Sequence, residues 1–104
     1  MLRSLGQRPV TGGGEDQRVV ELRTAVSRLR RELAALPAEF PDRVIAEDEL
    51  AALAAMAAHD VPEIPRLRRS LLLIAGAIGS VSALSRGLSD VRSAVELFGE
   101  PPRA

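Results

Sequence analysis

Apolar residues recur at alternating intervals of three and four residues along most of this chain. In the first such segment the intervals are 3, 4, 3, 4 and 3, and most of the residues between them are charged. The apolar set is Val19, Leu22, Val26, Leu29, Leu33 and Leu36. This period gathers the apolar side chains on one stripe, so it predicts an amphipathic α-helix with an a/d seam over residues 15–36. Pro37 cannot continue a helix and ends it.

A second helix is predicted over residues 43–59, after Asp42, which is a suitable N-cap residue. Its apolar positions are Ile45 or Ala46, Leu50, Leu53 and Met56 or Ala57, and alanine fills much of the remainder. Alanine favours the helix and adds little bulk, so a neighbouring helix can approach this one closely.

The third helical region is predicted to run from residue 64 to residue 98. Two apolar sets follow the same spacing and meet at Val81 and Leu84, which are three residues apart. The first set is Leu67, Leu71, Ile74, Ile78 and Val81, and the second is Leu84, Leu88, Val91, Val95 and Phe98. We therefore expect one long helix. A break at Gly87 is the alternative, because Ser89 is able to cap a separate last helix.

Sixteen consecutive uncharged residues lie between Arg69 and Arg86. At ~1.5 Å per residue this run is shorter than the ~30 Å hydrocarbon core of a bilayer, so we do not expect a membrane span. Its glycines also lack the spacing and the lysine of a phosphate-binding loop. Small residues recur every four positions at Ala75, Gly79, Ala83 and Gly87, with Gly76 and Ser80 alongside. This pattern predicts a ridge for close helix packing, against residues 51–58 or against the same helix of another subunit.

Charge alternates along the chain although the formal net charge is zero. Residues 18–32 contain five Arg and two Glu, residues 39–63 contain seven acidic residues and one Arg, and residues 66–92 contain five Arg and one Asp. Such alternation favours antiparallel packing of neighbouring segments, and it argues against one large basic face for nucleic acid.

The arginines at the start of the third helix, Arg66, Arg68 and Arg69, lie where the helix dipole disfavours positive charge. We expect acidic partners for them, such as Glu63 or the acidic residues of the second helix. The chain has two aromatic residues, Phe40 and Phe98, so it has little with which to stack bases.

The sequence contains no constellation for catalysis and no set of residues for a metal or a cofactor. His59 is the single histidine, and its position at the end of the second helix suits a capping cation. Residues 47–49 are consecutive acids, and consecutive helical side chains point about 100° apart, so these acids do not converge on a cation. The chain has no cysteine, which excludes disulfides and thiolate ligands. We predict that the protein is not an enzyme and uses no cofactor.

Two segments, AEDELAALAAM at residues 46–56 and PRLRRSLLLIAGAIGSVSALSRGLSDVRSAVELFG at residues 65–99, resemble a family of small uncharacterised actinobacterial proteins known only as a domain of unknown function. The resemblance covers about residues 15–99. It implies an actinobacterial cytoplasmic protein, and it supplies no activity, ligand or site residue.

These patterns predict an all-α protein whose domain, residues 15–99, is a three-helix antiparallel bundle with a long C-terminal helix. Disordered tails are expected at residues 1–14 and 100–104. The N-terminus has no apolar run long enough for a signal peptide, so we expect a cytoplasmic protein. The third helix, about 50 Å long at ~1.5 Å per residue, exceeds what the second helix covers and leaves apolar surface for a partner.

The predicted function is therefore a non-enzymatic interaction module that forms a homo-oligomer or binds another helical protein. The residues expected to carry the interaction are Val19, Leu22, Val26, Leu29, Leu33, Ala75, Gly79 and Ala83. A nucleic-acid-binding regulator that uses the Arg clusters is one alternative, and a peripheral membrane-associated protein is another.

Overall fold

The computed structural model describes residues 16–37, 39–59 and 62–99. Within these ranges the regular structure is entirely helical. The α-helices are α1 (Gln17–Ala35), α2 (Arg43–His59), α3 (Ile64–Ile78) and α4 (Ser85–Glu96). Short 3-10 helices, Ser82–Leu84 and Leu97–Gly99, precede and follow α4. The tails predicted at 1–14 and 100–104 lie outside the described residues.

The four helices form an up-down-up-down bundle. Each helix packs against the one before it, and α4 also packs against α1. Short connections make consecutive helices antiparallel. The direction of α4 is visible in its contacts with α1, because the guanidinium of Arg18 lies over the ring of Phe98 and that of Arg28 lies 3.7 Å from Asp90.

The third helical region is two helices rather than the single long helix that the spacing predicts. α3 ends at Ile78, residues 79–81 form a turn, and the chain reverses into α4. The break therefore lies at Gly79 and not at Gly87, which is a residue of α4. The physical reason is burial: the reversal brings Leu88, Val91 and Val95 into the core, whereas a straight helix would leave this seam in solvent.

The core is one continuous cluster to which all four α-helices contribute. Its largest fully buried side chains are Leu22, Leu29, Leu33, Leu50, Leu53, Leu67, Ile74, Ile78 and Leu84, with Val26, Val91 and Val95. The sequence leaves two alternatives in α2, Ile45 or Ala46 and Met56 or Ala57. The structure buries Ala46 and Ala57, whereas Ile45 is 45% exposed. Small side chains on the buried side of α2 let its neighbours approach closely.

Arg43 joins the end of α1 to the start of α2. Its guanidinium donates hydrogen bonds to the carbonyl oxygens of Leu33, at 2.6 Å, and Leu36, at 2.9 Å. The last carbonyls of a helix lack donors from a following turn, and this side chain supplies a donor to two of them. The Leu33 carbonyl also accepts the backbone N–H of Leu36 at 3.2 Å. At the other end of α1, the Asp16 carboxylate accepts a hydrogen bond from the backbone N–H of Arg18 at 2.9 Å and caps the helix.

Gly87 is a point of close approach between α4 and α1. A β-carbon at this position would lie 2.9 Å from Leu29 Cδ1 and would also meet the carboxylate of Glu32. One member of the predicted ridge of small residues therefore does make a close helix contact, with α1 rather than with α2 or another subunit.

Candidate interaction surface

The predicted interaction residues of α1 lie in the core of the chain. Val19, Leu22, Val26, Leu29 and Leu33 are each at most 8% exposed. A partner that meets the folded bundle contacts other side chains, so binding through this seam would require helices to exchange between copies. Their role in binding a partner stays a prediction.

The other predicted interaction residues do not share one helix. Ala75 is half-buried in α3, Gly79 is exposed in the turn, and Ala83 is exposed in the 3-10 helix before α4. Because α3 ends at Ile78, these residues and Gly87 do not form a continuous ridge.

The large hydrophobic residues that the described chain exposes lie on α2 and α3. They are Val44 at 62%, Ile45 at 45%, Leu72 at 74% and Leu73 at 42%. Single exposed hydrophobic residues are ordinary on protein surfaces, whereas adjacent ones on one helix mark a candidate contact site. The most exposed of the four, Leu72, has such a neighbour in Leu73.

The outer side of α3 is apolar at its centre. Leu67, Leu71, Ile74 and Ile78 face the core. At 100° per residue, the side opposite to them holds Arg69, Leu72, Leu73 and Gly76, all of which are exposed. We call these four residues the outer α3 surface.

Among the residues that the structure describes, nothing requires glycine at position 76. It lies inside α3, and a β-carbon built on it would have nothing within 4 Å. A glycine in the interior of a helix costs about 1 kcal/mol relative to alanine. Nothing in the described bundle offsets that cost, and the absence of a side chain leaves the helix backbone accessible beside the two leucines.

Sequence reasoning did not single out Leu72 and Leu73, although a signal was present. Residues 71–73 are three consecutive leucines. Consecutive helical residues point about 100° apart, so three in a row cannot all face one core. Leu71 is 8% exposed and takes the buried position, which leaves the other two outside.

Two exposed charged residues of opposite sign lie on neighbouring helices. Arg69 belongs to the outer α3 surface, and Asp48 lies on α2, which packs beside α3. Within the described parts of the chain, neither residue takes part in an ion pair. The ion pair within α2 joins Arg43 to Glu47.

The acidic partner of Arg68 differs from the expected ones. Arg68 donates two hydrogen bonds to the carboxylate of Glu96 in α4, at 2.7 and 3.1 Å, rather than to Glu63 or the acidic residues of α2. These hydrogen bonds lower the pKa of Glu96 and raise that of Arg68. The reversal of the chain after α3 is what brings this carboxylate to the start of α3.

His59 lies at the end of α2, exposed, beside a shallow groove that Met56, Glu63 and Arg66 also line. In the described ranges, no three His, Asp or Glu residues are grouped so that they could hold a metal ion. No α-helix described here combines the length and the apolar character that crossing a bilayer requires.

Comparison with known proteins places this chain in one family. Residues 11–99 match DUF5955, a family of unknown function, and the chain belongs to it. No curated protein and no solved structure matches the chain.

Proposed function

We propose that this member of the DUF5955 family is a non-enzymatic cytoplasmic interaction module, which self-associates or binds another helical protein through the outer α3 surface. The observation that carries the proposal is the exposure of Leu72, 74%, next to a second exposed leucine and a helix-interior glycine. Covering one leucine side chain contributes about 1.5–3 kcal/mol, so this pair offers a substantial part of the energy of an interface.

The location of this surface suits a contact between helices. Leu72 and Leu73 lie in the middle of α3, which is held on the bundle by four buried apolar residues on its other side. A rigid helix presents its outer side chains without further ordering, which limits the entropic cost of binding. The run from residue 70 to residue 85 is uncharged, so no charged side chain of α3 lies between Leu72 and the turn.

Molar mass in solution tests self-association. We expect the mass of the wild-type chain, measured by light scattering at micromolar concentrations, to exceed the 11.1 kDa of one copy. The double substitution Leu72→Gln and Leu73→Gln removes the apolar centre of the outer α3 surface. Glutamine is a good helix former, so we expect this variant to be a monomer whose helical circular dichroism is unchanged. Thr24→Gln, on the exposed side of α1, is the matched control and should behave as the wild type does.

Cross-linking in living cells tests for a foreign helical partner. A photoreactive amino acid at position 72 should form covalent adducts, and the same group at position 24 should not. Equal masses for wild type and the double variant, together with no adducts specific to position 72, would refute the proposed function.

A further inference from the structure

We infer that α4 is an exchangeable helix, which leaves its own bundle and packs on α1 of a second copy of this chain. In the exchanged dimer, residues 79–81 become helical and join α3 and α4 into one continuous helix. Each α1 seam is then covered by α4 of the other copy. This inference goes beyond the proposed function, because it uses the buried seam of α1 and not the outer α3 surface.

The connection between α3 and α4 is three residues long, and part of it is already helical. Gly79 has φ −61° and ψ −23°, and its N–H donates to the carbonyl oxygen of Ala75 at 2.8 Å, as in a continuing helix. Val81 is extended, with φ −91° and ψ 101°. Beyond it, Ser82–Leu84 is a 3-10 helix that leads directly into α4. Straightening the chain therefore requires the ψ angle of Val81 to rotate to about −42°.

The sequence suits the straight chain as well as the closed one. Ile78, Val81 and Leu84 are three residues apart, which is a helical spacing. Residues 66–100 include no proline, so nothing in this stretch interrupts a continuous ladder of backbone hydrogen bonds. A straight helix in a single copy leaves the apolar seam of α4 in solvent, whereas two straightened copies cover each other's seams.

Gly79 distinguishes the two conformations. In the closed bundle, a β-carbon on Gly79 would crowd the carbonyl oxygen of Ala75. In the interior of a regular helix this crowding does not arise, and alanine is more favourable than glycine. Glycine at position 79 therefore favours the closed bundle, and the identity of this residue biases the equilibrium between the closed bundle and the exchanged dimer.

The centre of the exchanged dimer is small and uncharged. Because α3 and α4 pack together in opposite directions in the closed bundle, the two long helices of the dimer run antiparallel and cross at the connection. Identical residues meet at a two-fold axis, so a charge there would face its own copy. Residues 70–85 carry no charge, and most residues around the connection are small. They are Gly79, Ser80, Ser82 and Ala83. The two helices can therefore approach each other closely at the crossing.

Exchange preserves the core, since α4 meets the same residues in either form. The close approach of Gly87 to Leu29 and the hydrogen bonds between Arg68 and Glu96 are made within one chain in the closed bundle and between two chains in the dimer. The two forms then differ mainly at the connection and in the entropy of association, which favours the closed bundle at low concentration. High protein concentration and substitutions at the connection should shift the equilibrium.

Substitution of Gly79 tests the connection. The protein is refolded from urea at a series of concentrations, and the molar mass is measured by light scattering. Gly79→Ala should lower the dissociation constant of the exchanged dimer about tenfold or more, because it crowds the closed turn and favours the straight helix. Gly76→Ala is the matched control. It adds the same methyl group to α3 in both forms, so we expect a change of no more than about twofold. Equal dissociation constants for the two variants would overturn the inference.

Proline at position 82 should block the exchange without harm to the closed bundle. Val81 is extended, which is the conformation that a following proline requires, and Ser82 is the first residue of the 3-10 helix. In a continuous helix the same proline loses a hydrogen bond and clashes with the preceding turn. We expect Ser82→Pro to keep the helical circular dichroism of the wild type and to form no exchanged dimer, even together with Gly79→Ala. A dimer of this double variant that is as stable as that of Gly79→Ala alone would contradict the straight helix.

Complementary charge variants show whether α4 itself changes place. Arg68→Glu and Glu96→Arg each put two like charges together in the closed bundle. When the two proteins, both with Gly79→Ala, are unfolded, mixed and refolded, exchange of α4 gives opposite charges at both copies of this pair. Native mass spectrometry should then find the ratio of heterodimer to homodimers about threefold or more above its statistical value. A statistical ratio would mean that each α4 stays with its own chain.

The two kinds of dimer are distinguishable. The tests of exchange are made in the background of Leu72→Gln and Leu73→Gln, which removes the outer α3 contact and should leave the exchanged dimer in place. Ser82→Pro removes the exchanged dimer and should leave the outer α3 contact in place. If the leucine variant stays monomeric at every concentration, even with Gly79→Ala, the exchange alone is refuted. Equal masses for wild type and the leucine variant, with no adducts specific to position 72, refute the proposed function alone.

Discussion

The carboxylate of Glu96, in the last turn of α4, accepts two hydrogen bonds from the guanidinium of Arg68, in the second turn of α3. This pair connects the two helices that the sequence pattern merges into one. It exists because the chain reverses between them, so it is a direct reporter of the reversal.

The contribution of this pair to stability should depend on pH. The hydrogen bonds from Arg68 hold the pKa of Glu96 below its ordinary value of 4.5. A carboxylate whose pKa is lower in the folded state contributes stability that is fully present above the unfolded-state pKa and is lost as pH falls through the folded-state pKa. The difference in unfolding free energy between wild type and Glu96→Gln should therefore be constant near neutral pH and disappear in acid.

Urea unfolding of both proteins at pH 7 and at a series of values below 4.5 measures this difference. Glu39→Gln, at an exposed position between α1 and α2, serves as the control. A difference between wild type and Glu96→Gln that does not change with pH would mean that the charge of Glu96 adds nothing.

Replacement of Arg43 should destabilise the junction of α1 and α2. The side chain is 14% exposed, and two of its hydrogen bonds end on the carbonyls of Leu33 and Leu36. Arg43→Met keeps the aliphatic stem and removes the donors, so we expect a loss of about 1.5–3 kcal/mol in the free energy of unfolding. Chemical denaturation measures the loss. Arg30→Met, at an exposed position of α1, should change the same quantity by no more than about 0.5 kcal/mol.

Two glycines only three residues apart should respond to alanine in opposite directions. Gly76→Ala adds a methyl group in open space and improves helix propensity, so the monomer should gain about 1 kcal/mol. At Gly79 the new β-carbon would meet the carbonyl oxygen of Ala75, which already accepts the Gly79 N–H at 2.8 Å. The backbone must shift to make room, and we expect a loss of about 1–3 kcal/mol.

Thermal unfolding at concentrations low enough to keep the chain monomeric compares these two variants with wild type. A gain in stability for Gly79→Ala would show that α3 can continue past Ile78 at no cost. That result would contradict the position of the turn.

Substitution of Leu29 tests whether the apolar seam of α1 stabilises the folded chain or binds a partner. It is 0% exposed, so Leu29→Ala should lower the free energy of unfolding by about 2–5 kcal/mol. Since the residue lies inside the chain, the molecules that remain folded should associate as the wild type does. If the variant kept full stability and lost association, the seam would be the interface that the sequence pattern predicts.

The sequence pattern predicts the first two helices well. The expected ranges, 15–36 and 43–59, differ little from Gln17–Ala35 and Arg43–His59. Regular apolar spacing and a proline at the helix end depend only on residues within or next to the helix. The sequence is therefore enough to predict them.

The reversal after α3 depends on packing between distant parts of the chain. The spacing of apolar residues therefore does not predict it. Residues 78, 81 and 84 keep a helical spacing whether the chain continues straight or folds back, because in both cases the apolar residues face a core. The choice is decided by the burial that α4 gains against α1, far away in the sequence. A glycine alone does not mark the position of the reversal. Gly76 and Gly87 lie within helices, whereas Gly79 is the C-cap of α3.

Tertiary packing also limits how much of the outer α3 surface can be predicted from the sequence. The sequence places Gly76 beside a row of small residues, but the exposure of Gly76 depends on which side of α3 the neighbouring helices cover. The contacts of Arg43 with carbonyl groups seven and ten residues earlier depend on the path of the connection and leave no periodic trace.

Packing of α4 on α1 also sets the order in which the bundle can form. The hairpins α1–α2, α2–α3 and α3–α4 each join neighbours in the sequence, and such local contacts allow helical bundles to fold in microseconds to milliseconds. The closure of α4 on α1 brings together distant parts of the chain, where Gly87 meets Leu29 and Phe98 meets Arg18. Its loop-closure entropy is the largest of the four, so we expect this closure to be the last helix contact to form as the bundle folds.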